Sequence, residues 1–180
     1  QLGLLECLVR LLDREDVGTI GGGEAAMLET SFGLAARGQE VVCYYPGARG
    51  AHGGVRFMPA ACAFTEVLPE PYSAVISWSE PDVLRMVAPG VQRVFSQQLN
   101  HMPSSTAFWD ALDTVVTPSV AHARWLAAQA PGGLAGAPTW STMGAGTRAE
   151  RYRDARPLHD RPHIVSYWSS PDRGLHHLLM

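Results

Sequence analysis

Residues 21–46 read GGGEAAMLETSFGLAARGQEVVCYYP, and the order of features in this stretch decides the fold. Three glycines precede a segment in which Ala26, Met27, Phe32, Leu34 and Ala35 are spread at helical spacing. Gly38 then stops the pattern as a C-terminal cap would. The next run, Glu40–Tyr45, is β-branched and aromatic and is closed by Pro46-Gly47. The spacing therefore predicts a helix over 23–37 feeding a strand over 40–45.

The same alternation continues outward. Ala74–Trp78, Val91–Ser96 and Thr114–Thr117 read as short apolar strands, with weaker candidates at Val55–Met58 and Thr139–Ser141 and a last one at His163–Trp168. Pro81–Val87 and Ser119–Gln129 read as helices, with Ser79 and Ser119 placed to start them. Strands this short, without strict alternation, suit a sheet covered on both faces. The expected architecture is α/β: a Rossmann-like open parallel sheet with helices on both faces. Leu4, Leu5, Leu8, Leu11 and Leu12 have helical spacing, whereas a doubly wound domain opens with a strand. Between those alternatives the architecture favours a strand.

Composition narrows the function classes. No stretch approaches the roughly 20 apolar residues of a membrane span, and acids inside QLGLLECLVRLLDRED argue against a secretory signal. A formal charge of −3 argues against a protein that holds nucleic acid by charge alone. The cysteines, Cys7, Cys43 and Cys62, sit apart in apolar company, which suits small buried side chains in a reducing cytoplasm. All 14 basic residues are Arg, so lysine chemistry is excluded within this chain.

Two stretches carry candidate chemistry. Gly21, Gly22 and Gly23 stand at a helix N-terminus, where free N–H groups and the absence of side chains receive an anionic or polar ligand. The same glycines also fit a plain surface turn, and Glu24 would repel a phosphate placed directly on it. Phe95–Pro103 runs from a strand into a polar loop, where Gln97, Gln98, Asn100 and His101 offer neutral hydrogen-bonding groups suited to hydroxyl-rich ligands. His101 is the candidate catalytic residue, titrating near neutral pH; a solvated loop histidine is the plainer alternative. Asp13-Arg14-Glu15-Asp16 reads as a solvated loop, and Trp78-Ser79-Glu80 either lines a cleft or starts a helix. The histidines show no metal spacing. A nicotinamide-dependent oxidoreductase is disfavoured, because there is no Gly-x-Gly-x-x-Gly and Tyr44-Tyr45-Pro46 replaces the acid ending the second strand. P-loop and nucleophile-elbow motifs are also missing from the sequence.

The ordered set resembles the retaining GT-B glycosyltransferases commonly grouped as family 4. Arg37-Gly38-Gln39-Glu40-Val41 is similar to their helix end, with Gln39 where His is usual. Val115–Ala127 is similar to their Pro-Ser-Glu strand–helix junction, with Val120 in place of Glu. Met143-Gly144-Ala145-Gly146, followed by Arg151-Tyr152, stands where the family has Asn-Gly-Val-Asp and Arg-Tyr. Tyr167–Leu179 resembles the first strand and phosphate loop of a second domain.

The resemblance implies sugar transfer, with retention, from a nucleotide-sugar donor to a hydroxyl acceptor, with no metal or other cofactor. The acceptor side would be built from Gly21, Gly22, Gly23, Gln98 and Asn100, with His101 contacting sugar or acceptor. Donor phosphate would fall to Ser170 and Arg173, where Ser170 replaces the family's Arg and Arg173 its Lys. The domains expected are 1–146 on the acceptor side, a polar linker over 147–162, and the start of a donor domain over 163–180. The family's Glu-x₇-Glu pair would fall beyond Met180, so the expectation is a truncated enzyme, inactive in isolation. Leu178-Leu179-Met180 would then be unburied and prone to self-association. The alternative is a non-catalytic sugar- or nucleotide-binding α/β protein derived from such an enzyme.

Overall fold

The computed structural model describes residues 22–45, 49–63, 72–78, 81–97, 108–136, 138–144, 157–160 and 162. The chain divides into two compact units, Gln1–Gly146 and Thr147–Met180. The readings at 4–12, 163–168 and 175–180 lie outside the described residues. In the second unit, Leu158–Asp160 forms one 3₁₀ turn.

In the first unit, α1 spans Gly22–Ala35 and β1 spans Val41–Tyr45. Gly38 is left-handed (φ 83°). Its N–H donates to the Ala35 carbonyl (2.9 Å), and the Gln39 N–H donates to the Leu34 carbonyl (3.2 Å). These two bonds form a Schellman motif, which satisfies carbonyls the helix would otherwise leave open. The helix thus ends where Gly38 predicts. Its inner face sets Leu28 and Ser31, with Met27, Phe32 and Ala35, against Cys43, Val55 and Phe57.

β1 pairs in parallel with β3 (Val55–Pro59), and β2 (Gly50–His52) pairs antiparallel with β3, giving the order β1-β3-β2. The β2 strand escapes sequence reading because three residues with one β-branched neighbour carry no alternation. Its signal was the Gly53-Gly54 pair. Both glycines have positive φ (55° and 79°), as a two-residue hairpin turn of the primed type requires. The hairpin tip lies on Phe32, whose ring also meets His52 edge-on at 5.8 Å between centroids.

The second sheet contains β4 (Ala74–Trp78), β5 (Gln92–Ser96), β6 (Thr114–Thr117) and β7 (Thr139–Thr142), all parallel and in chain order. Right-handed crossovers stepping always in one direction place their connections on one face. The packing agrees. Leu84 and Val87 follow β4, Phe108, Trp109 and Leu112 precede β6, and Leu126 and Ala130 follow it; all meet the face carrying Phe95 and Val115. On the opposite face Ile76 remains 42% exposed. The protein is therefore α/β, with a four-stranded parallel sheet flanked by helical connections, consistent with a Rossmann-like fold.

Two helices differ in extent from the sequence reading. Residues 81–86 form a 3₁₀ helix rather than an α-helix, between Pro81 and Pro89-Gly90. α2 covers Val120–Ala127, capped by Ser119, whose Oγ accepts the His122 backbone N–H at 3.1 Å. It buries Ala123, Leu126 and Ala127 against the sheet. The two sheets meet through Tyr44, which packs on the larger core and whose hydroxyl lies 3.0 Å from that of Tyr72.

Candidate functional site

In an open parallel sheet the carboxyl ends of the strands form the natural ligand crevice, because the loops that follow them vary freely while the strands hold position. Here β4 ends at Trp78, β5 at Ser96, β6 at Thr117 and β7 at Thr142, and the register pairs Trp78 with Ser96 and Thr117 with Thr142. The ladder runs slightly further: the Gln97 N–H donates to the Val116 carbonyl at 2.9 Å, and the Met143 N–H to the Thr117 carbonyl at 2.8 Å.

Polar side chains concentrate at this end. Of the buried polar residues Ser31, Ser77, Ser96, Gln97 and Thr117, all but Ser31 lie in the last two residues of a strand or immediately after one. All are neutral, which avoids the cost of burying unpaired charge. Thr117 Oγ1 donates to the Ser119 carbonyl at 3.1 Å, and so ties the strand end to the cap of α2. Ser77, Ser96 and Gln97 are each engaged within the fold. Gln97, one of the neutral groups that the sequence offers here, is completely buried just past the end of β5. The Trp78 indole N–H is also buried here and finds no acceptor among the described residues.

The smaller sheet brings its own strand end to a helix start. β1 ends at Tyr45, whose phenol is pushed up from its usual range by burial first, then by the charge of Glu24. Tyr45 is thus electrostatically coupled to the first turn of α1. Gly22 and Gly23 are the first two residues of that helix. Neither has positive φ, and a methyl built on Gly23 would meet nothing within 4 Å. The fold itself therefore makes no demand for glycine at position 23. That contrasts with Gly53, where a Cβ would lie 2.9 Å from the Phe32 ring.

Gly21, Gln98, Asn100 and His101 lie outside the described residues, as do Ser170 and Arg173. Of the sequence-selected site residues, Gly22, Gly23 and Gln97 are those the structure places. Sequence reading did not single out Tyr45 or Thr117 as site residues; the Pro after each, a strand stop, was the available signal. Among the described residues no three His, Cys, Asp or Glu side chains converge as a metal site would require. Cys43 and Cys62 form no disulfide, and burial pushes the Cys43 thiol up despite a hydrogen bond with Ser31, so it stays un-ionised. No described helix is long and apolar enough to cross a membrane.

A separate depression of about 290 Å³ opens at the amino ends of β5 and β6, lined by Gly90, Val91, Gln92, Arg93 and Asp113. Its polar groups are spent on each other. Asp113 accepts the Arg93 backbone N–H at 2.7 Å and the guanidinium Nε at 3.3 Å, an arrangement that ties two strand starts together. Comparison with protein-family models, with curated proteins and with solved structures returns no match.

Proposed function

We propose that this chain is the acceptor-side portion of a retaining GT-B-type glycosyltransferase, moving a sugar from a nucleotide-sugar donor to a hydroxyl acceptor. The observation that carries the reading is the open helix start at Gly23, in the same first turn as Glu24, whose charge reaches the Tyr45 phenol. Unneeded by the fold, Gly23 leaves room for a ligand to approach backbone N–H groups. The neutral floor of Ser77, Ser96, Gln97 and Thr117 is in keeping with hydroxyl-rich ligands. The order of sequence motifs supplies the rest.

In this reading the acceptor lies against Gly21–Gly23, with Gln98 and Asn100 holding its hydroxyls and His101 contacting sugar or acceptor. Charge growing on the leaving phosphate is offset by Arg173 and by backbone N–H groups, with Ser170 adding a neutral hydrogen bond. Transfer of this type calls on no metal.

The test is acceptor-dependent release of nucleoside diphosphate by the native gene product, across UDP-, GDP- and ADP-linked sugars. His101→Ala is expected to lower kcat by about tenfold, the worth of one hydrogen bond, without changing the melting temperature. Full activity in that variant removes His101 from the site. The neutral Ser170 in place of a cation favours a second reading, a non-catalytic sugar- or nucleotide-binding protein. Saturable calorimetric binding without release from any donor would establish that reading, and neither binding nor release would overturn both.

A further inference from the structure

We draw no further inference here: the strongest candidate, the apolar second face of the four-stranded sheet around Ile76, Val94 and Val116, carries nothing because nothing among the described residues shows what covers it.

Discussion

Replacing Gly23 with alanine separates the two readings of the glycine stretch, a ligand site or a plain turn. Gly23 is the second residue of α1, in ordinary helical backbone, and the added methyl would meet nothing within 4 Å. No clash opposes the change, so the helix-propensity gain and the reduced freedom of the unfolded chain act alone. Together they are worth about 0.4–1 kcal/mol in favour of the variant. For a unit of this size that raises the melting temperature by roughly 1–4 °C. Differential scanning calorimetry of Gly23→Ala beside the parent chain reads this directly. Gly53→Ala serves as the opposing control. There φ is 55° and the methyl would stand 2.9 Å from Phe32, so stability is expected to fall by about 1–2 kcal/mol. Binding supplies the second half. If a ligand approaches the helix start, the methyl occupies its place, and affinity for nucleotide sugar or acceptor falls by about tenfold or more, a loss of about 1.4 kcal/mol. A stabilised variant with unchanged binding would reduce the stretch to a surface turn. A destabilised variant would refute the premise that the fold leaves position 23 open.

The remaining predictions concern the frame of the fold. Phe95→Ala, at a completely buried position of β5, is expected to cost about 3–5 kcal/mol in chemical denaturation, and a loss under 1 kcal/mol would contradict its place in the core. Ser119→Ala removes the acceptor of the His122 N–H and is expected to cost about 1 kcal/mol, with Ser119→Asp restoring most of it. Asp113 is held below the usual carboxylate range, chiefly by the Arg93 backbone N–H and then by the Arg93 side chain. A depressed folded-state value means that its stabilisation is present above the unfolded value near pH 4 and is lost as pH falls through the folded one. Asp113→Asn should therefore show a shallower loss of stability below about pH 4 than the parent, and parallel acid-denaturation curves would refute that role.

Much of the fold was legible because its signals are local. The Gly38 cap, the Ser119 cap and the strands Ala74–Trp78 and Thr114–Thr117 each depend on residues within a few positions of one another, so the sequence pattern and the structure agree. The departures have physical causes that pattern does not contain. Residues 81–86 were legible as helical, but whether such a short turn bonds at i→i+3 or i→i+4 depends on what lies beneath it, here Leu84 packed into the core. The β2 strand exists because β3 gives it a ladder and Phe32 gives its turn a surface, not because Gly50-Ala51-His52 prefers extension.

The candidate site divides along the same line. A polar residue just past a strand reads identically in sequence whether it is exposed or buried, and Gln97 is completely buried. Its burial follows from topology. With β4 to β7 stepping one way, the described parts of the connections pack on the face of Phe95 and Val115. Gln97, two residues beyond Phe95, points to that same covered side by the two-residue period of a strand. Ser96, between them, has the opposite facing, as do Trp78 and Ile76 by register. Ser96 is 1% exposed and the Trp78 indole N–H is buried, so both sides of the sheet are covered at this edge. In the proposed reading, substitutions at Gln98, Asn100 and His101, and not at the buried Ser96 and Gln97, are the ones expected to alter binding while leaving stability unchanged.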